Sequence, residues 1–139
     1  MKVEGFNIEE LVDNPHCVDE YSERMGMKFT ALGNGSATAL LTIQDWQVNP
    51  LGSVHGGVLF SLADITAGTA AVATGVKVTT LDAQMSFLAP ALLSRTKTLT
   101  SNAKIIKAGK TVQVIEVEIY DEEKRLISKA SYTFFVMKA

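Results

Sequence analysis

The sequence predicts an α+β domain in which an antiparallel sheet of about six strands curls around one long helix. Three observations predict it. Two strand-like runs meet at the turn Gly33-Asn34-Gly35, which has the composition of a tight hairpin. An apolar stretch from Gly57 to Thr74 has the length and composition of a helix. Beyond it lie four runs in which apolar and polar residues alternate, separated by short turns, as half-buried strands require. At 139 residues the chain is long enough for one core and short for two, so 1–139 reads as a single domain with a helical segment over residues 1–25.

The start, MKVEGFNIEELVD, places its apolar residues as a short amphipathic helix would, and Glu4, Glu9 and Glu10 interrupt what would have to be the apolar core of a signal peptide. NPHCVDEYSERMG reads as a second short helix, with Asn14 as cap, Pro15 at the first helical position and Gly26 as terminator. The hairpin around Gly33-Asn34-Gly35 follows, then a loop, QDWQVNPLGSVHG, marked by Pro50 and Gly52. The Gly57–Thr74 helix, closed by Gly75, carries Val58, Leu59, Leu62, Ile65, Ala70 and Val72 on nearly every face, which places it centrally. In the next run Leu81, Ala83, Met85 and Phe87 alternate with Thr80, Asp82, Gln84 and Ser86. Three further strands occupy Thr96 to Lys107, TVQVIEVEIY and RLISKASYTFFV, and the last four strands read as a meander.

Composition excludes several classes of function. Hydrophobic residues make up 47% and charged residues 20%, an ordinary globular balance. A net charge of −2 argues against a nucleic-acid binder, whose phosphate contacts need a basic surface. The single cysteine, Cys17, cannot form an internal disulfide, and no Cys/His spacing suggests a metal site. A cytoplasmic protein without a membrane span is expected.

The chemistry concentrates in NPLGSVHGGVLFSLADITAG. Between Trp46 and Val76 the only titratable side chains are His55 and Asp64, so a helix read as buried carries a carboxylate with no basic neighbour in sequence. His55-Gly56-Gly57 stand at the helix start, where unpaired N–H groups and the helix dipole favour a developing oxyanion. Asp64 lies eight residues beyond Gly56, ~12 Å along the axis, too far to serve the same carbonyl. Two helices packed antiparallel about a two-fold axis would bring each Asp64 to the other chain's Gly56. A blander reading is also open at each position. Asp64 suits a structural carboxylate satisfied by Ser61 or Thr66, His55 a helix-start hydrogen-bonder, Asn49 a turn residue and Thr80 an ordinary strand residue.

Asn49, Gly52, HGGVLFSLAD, Gly68 and the strand TTLDAQMSFLAP together resemble the hotdog-fold acyl-CoA thioesterases of the phenylacetic-acid-degradation (PaaI-like) type. The resemblance runs from about Gly26 to the C-terminus and implies a hotdog fold. It implies that Asp64 is the nucleophile or general base, that the Gly56 N–H polarises the thioester carbonyl, and that Asn49 and His55 line the site. Thr80 would orient water or the carboxylate. It also implies a homodimer, paired into a tetramer, and no cofactor beyond the coenzyme A carried by the substrate. The acyl group would lie among Gly57, Leu59, Phe60, Leu62 and Ala63, apolar enough for an aryl or a medium aliphatic group. Arg95, Lys97, Lys104, Lys107 and Lys110 occur between Asp82 and Glu116 with no acid among them, which nominates Lys107 and Lys110 for the coenzyme A phosphates as against a solvated sheet face. Two rival readings are a non-catalytic acyl-CoA sensor and a hotdog dehydratase or hydratase.

Overall fold

The computed structural model describes residues 2–3, 6–7, 12 and 19–137. Two short N-terminal strands, β1 (Lys2–Val3) and β2 (Phe6–Asn7), pair antiparallel where the sequence suggests a first helix. Helix α1 (Glu20–Met25) is the expected second helix in a shorter form. Its cap is Asp19, whose carboxylate accepts the Ser22 N–H at 2.8 Å, so Asn14 is not the cap; Asn14, Pro15 and Cys17 lie outside the described residues. Gly26 ends it as expected, at φ +86, and its N–H turns back onto the carbonyls of Ser22 and Glu23.

Strands β3 (Met27–Gly33) and β4 (Ser36–Thr42) form the anticipated hairpin, with Gly35 at φ +80 in the turn. Helix α2 (Gly56–Val72) follows a loop and precedes β5 (Lys77–Phe87), β6 (Thr98–Ala108), β7 (Val112–Tyr120) and β8 (Leu126–Met137). All six strands from β3 onward make one antiparallel sheet in the order β3-β4-β6-β7-β8-β5. This is the hotdog arrangement.

One expectation needs correction: the last four strands are not a simple meander. β6, β7 and β8 pair consecutively, but β5 pairs with β8 and forms an edge of the sheet, and β4 takes the place beside β6. Alternation of period two identifies a strand and its inner face but says nothing about which strand lies beside it.

The core forms between the sheet's inner face and one side of α2. Leu59, Leu62, Ala63, Ala67, Ala70 and Ala71 of the helix are buried there against residues such as Leu41, Leu99, Ile115, Ile119 and Tyr132. The small alanines let the helix lie close to the strands. The opposite side of α2 is not enclosed: Gly57 and Phe60 are exposed and Ser61, Asp64, Ile65, Gly68 and Val72 are half-buried. The helix is therefore central to the sheet, as the sequence indicates, yet open along one face.

Candidate active site

Asp64 sits in the middle of that open face. Ser61 and Thr66, its expected local partners, are engaged elsewhere: Tyr21 and Ser61 share a hydroxyl–hydroxyl bond of 2.7 Å, and Thr66 donates to the Leu62 carbonyl at 2.6 Å. The partner of Asp64 comes instead from β5, where the Thr80 hydroxyl donates to Asp64 Oδ1 at 2.8 Å. Simple alternation would put Thr80 with Asp82 and Gln84 on the outer face. A β-bulge at Leu81 interrupts the register between Thr80 and Asp82, so that Thr80 stands opposite the inward-facing Phe134 while Ala83 stands opposite Tyr132. The extra residue turns Thr80 toward the helix and leaves Leu81 60% exposed.

Beneath this pair lies Tyr132, fully buried, its ring between Phe60 (centroids 5.4 Å) and Phe134 (6.1 Å). Its hydroxyl donates to the Phe60 carbonyl at 2.8 Å, bracing the turn of helix that leads into Asp64. Burial, and secondarily the charge on Asp64, raise the Tyr132 phenol above its ordinary range, so it remains a neutral donor. Tyr132 stands in the strand run RLISKASYTFFV, where the sequence gives it no sign of a part in the site. A cleft of 320 Å³ opens beside Asp64 and Thr80, with Gly68, Val72, Val78 and Phe134 among its walls.

The helix start is built independently. His55 is the N-cap residue, and its carbonyl accepts the Val58 N–H at 3.0 Å and the Leu59 N–H at 3.3 Å. Its imidazole is exposed and caps nothing. The N–H groups of Gly56 and Gly57 meet no acceptor among the described residues, leaving the positive end of a 17-residue helix available. A Cβ on Gly56 would stand 3.2 Å from the Phe87 ring, so the aromatic side chain presses on this backbone, and a second cleft of 310 Å³ opens beside Gly56, Leu59 and Phe87.

Asn49 is placed as a turn residue: its side-chain oxygen accepts the N–H groups of Leu51 and Ser53, both at 3.0 Å. Of the residues expected around the acyl group, Gly57 is exposed, Leu59 lines the second cleft, and Phe60 is 38% exposed above Tyr132. Leu62 and Ala63 are fully buried in the core.

Lys107 and Lys110 are exposed near the β6–β7 turn. Gln113, in that hairpin, donates to Thr74 at 3.2 Å, so these cations stand near the C-terminal end of α2, roughly 24 Å of helix away from Gly56 of the same chain. Among the described residues no group of three His, Cys, Asp or Glu side chains could hold a metal ion, and no helix is long and apolar enough to cross a membrane.

The sequence reading also passed over Gln47, the fully buried side chain that assembles the N-terminal end of the site. Its Oε1 accepts the Gln44 N–H and its Nε2 donates to the Met25 carbonyl, both at 2.8 Å, and its own carbonyl accepts the His55 N–H at 2.9 Å. The side chain thus ties the end of α1 to the short 3-10 turn Asp45–Gln47, and the backbone of the same residue ties that turn to the start of α2. A buried glutamine in a polar loop has no periodic signal that would single it out.

Comparison with known proteins follows this geometry. Residues 51–128, more than half of the chain, match the model of the Thioesterase superfamily. The 1,4-dihydroxy-2-naphthoyl-CoA hydrolase of Listeria monocytogenes serotype 1/2a (strain 10403S) is 30% identical over 117 residues, covering 84% of this chain and 94% of that protein. The acyl-coenzyme A thioesterase PaaI of Escherichia coli K12 is 26% identical over 122 residues, covering 88% and 83%. A hypothetical thioesterase protein from Streptococcus pneumoniae TIGR4, solved with coenzyme A, superimposes with a TM-score of 0.76 at 27% identity, covering 80% of this chain and 85% of that one.

Proposed function

The chain belongs to the Thioesterase superfamily, and from that premise we propose that it hydrolyses acyl-CoA thioesters at a site shared between two copies of the chain. The observation that carries the proposal is the separation of its two reactive features. Asp64, held by Thr80, and the unpaired Gly56 N–H lie on one helix but ~12 Å apart along it, so one carbonyl cannot engage both within a single chain.

An antiparallel partner helix removes the separation. The open face of α2 and the apolar edge of β5, where Leu81 is 60% and Phe87 56% exposed, are the surfaces such a partner would cover. The same pairing would bring the partner subunit's Lys107 and Lys110 to the end of the molecule that holds Gly56, where the coenzyme A phosphates need cations.

In the proposed reaction the thioester carbonyl oxygen accepts the Gly56 N–H. The partner subunit's Asp64 then either deprotonates a water that attacks the carbonyl carbon, or attacks it directly to give a mixed anhydride that water opens. In either route the carbon–sulfur bond breaks and its electron pair leaves on the coenzyme A sulfur; water supplies both the hydroxyl that stays on the acyl carbon as the free acid and the proton that converts the thiolate to the free thiol. Thr80 orients the carboxylate, while Asn49 and His55 border the site. No cofactor beyond the substrate's own coenzyme A takes part, and the lone Cys17 fits a reducing compartment.

Subunit mixing tests the shared site. Asp64→Asn removes the carboxylate. Gly56→Pro removes the N–H at the first helical position, where proline is tolerated, and His55, at φ −56 and ψ 140, already has the extended geometry that precedes proline. Each variant alone should release no thiol from acyl-CoA. After subunit exchange, mixed dimers regain one intact site of two, so an equal mixture should recover about a quarter of wild-type activity. Two inactive variants that stay inactive after proven exchange would refute the shared site.

A further inference from the structure

Tyr132 lies on β8 with β7 on one side and β5 on the other, opposite Ile115 and Ala83, and none of its surface is exposed. We propose that Tyr132 is a positioning residue for the reaction: by holding the Phe60 carbonyl it fixes the turn of helix that presents Asp64 to the partner subunit's Gly56. The proposal rests on the thioesterase reading above.

The geometry joins the phenol to the reacting residue through one atom. In an α-helix each N–H donates to the carbonyl four residues earlier, so the Phe60 carbonyl is the acceptor of the Asp64 N–H. The Tyr132 hydroxyl donates to that same carbonyl at 2.8 Å. One oxygen thus carries both the peptide of Asp64 and a fixed point on the sheet. Phe60 is gripped a second time, since its ring meets the Tyr132 ring at 5.4 Å between centroids, tilted by 54°.

Thr80 holds the other end of Asp64, its carboxylate, from β5. β5 and β8 are themselves paired, with Thr80 opposite Phe134 and Ala83 opposite Tyr132. Both holds on Asp64 therefore come from neighbouring strands of one sheet, a rigid support for a reacting group.

The hydroxyl is not needed to fill the core or to complete the helix. Phenylalanine has nearly the same volume, and without the phenol the Phe60 carbonyl keeps its helix partner, so no buried group is left unpaired. What the phenol adds is a fixed height and direction for this turn. Asp64 stands half-buried one turn beyond, on the open face of α2, so a shift of the turn becomes a shift of the carboxylate. A reacting atom misplaced by about 1 Å can cost a hundredfold in rate.

Tyr132→Phe removes the hydroxyl and keeps the ring. In thiol-release assays its kcat should fall about tenfold with KM within about twofold of wild type, because the buried phenol is out of the substrate's reach. The melting temperature should fall by no more than ~5 °C. Thr80→Val and Tyr132→Phe act on one carboxylate, so the double variant should lose less in kcat than the product of the two single losses. A further readout needs no turnover. In native-state hydrogen exchange the Asp64 amide of Tyr132→Phe should lose about tenfold in protection, with the Ala70 amide, beyond the held turn, unchanged. A Tyr132→Phe kcat equal to wild type, a loss carried by KM alone, single losses that simply multiply, or an Asp64 amide protected as in wild type would each overturn the proposal. If wild type releases thiol from no acyl-CoA, the thioesterase reading fails instead, while hydrogen exchange still decides whether Tyr132 anchors the turn.

Discussion

Removing the Thr80 hydroxyl isolates the hydrogen bond that ties Asp64 to β5. In Thr80→Val the side chain keeps its volume and its β-branch, so an exposed position on an edge strand should tolerate the change with a melting temperature within ~2 °C of wild type. What is lost is the bond of 2.8 Å from a hydroxyl to a carboxylate. Hydrogen bonds to a charged group contribute about 1.5–3 kcal/mol. At 1.36 kcal/mol per factor of ten, a carboxylate that reacts only in the orientation this bond fixes should lose about 10- to 150-fold in kcat. The Michaelis constant should change little, because the hydroxyl is spent on the carboxylate. Initial rates of thiol release across acyl-CoA concentration separate the two constants, with Thr80→Ser as a rescue that restores most of kcat. A Thr80→Val enzyme within twofold of wild type, beside an Asp64→Asn enzyme reduced a hundredfold or more, would show that the bond does not position the reacting group.

Two further outcomes concern the framework. Gln47→Leu leaves the buried Met25 carbonyl and the Gln44 N–H without their side-chain partner, at a cost of about 2–4 kcal/mol, which lowers the melting temperature by roughly 5–15 °C; a fall of less than 2 °C would deny Gln47 its bracing role. Asp121, in the β7–β8 turn, feels burial as the largest single influence, which alone would raise its pKa. The Arg125 and Glu123 N–H groups and the Arg125 guanidinium together outweigh it and hold the carboxyl below its ordinary range. A depressed pKa gives stability that is present above the unfolded value of ~3.9 and is lost as pH falls through the folded value. Urea midpoints should therefore separate wild type from Asp121→Asn at pH 6 and converge toward pH 3. A gap that stays constant over that range would contradict the assignment.

Much of the architecture could be read along the chain because it is local. The Asn34-Gly35 turn, the glycine at φ +86 that ends α1, the long apolar helix and the alternation of Ile115, Val117 and Ile119 with Glu116 and Glu118 each express a preference of neighbouring residues for one backbone geometry. The HGG start and the isolated Asp64 also stood out, because unpaired helix-start donors and a carboxylate without a basic neighbour are visible as composition. The hold of Tyr132 on the Phe60 carbonyl was not visible in this way, since alternation marks Tyr132 as inward-facing and says nothing of the helix atom it meets. The N-terminal helix expected over the first residues gives way to the β1–β2 pair at the positions described there.

From the β3–β4 hairpin onward the sequence by itself determined which segments are helix and strand, and it showed that one acid and one helix start were available for chemistry. Tertiary structure decided what those groups meet. A single bulge at Leu81 turns Thr80 inward to Asp64, the crossing of β5 to the far edge puts that strand beside β8, and Gln47 gathers three elements around the helix start. The physical reason is that secondary structure follows from interactions a few residues apart, whereas register, bulges and strand neighbours are fixed by contacts between residues such as Thr80 and Phe134, which only the packed sheet brings together.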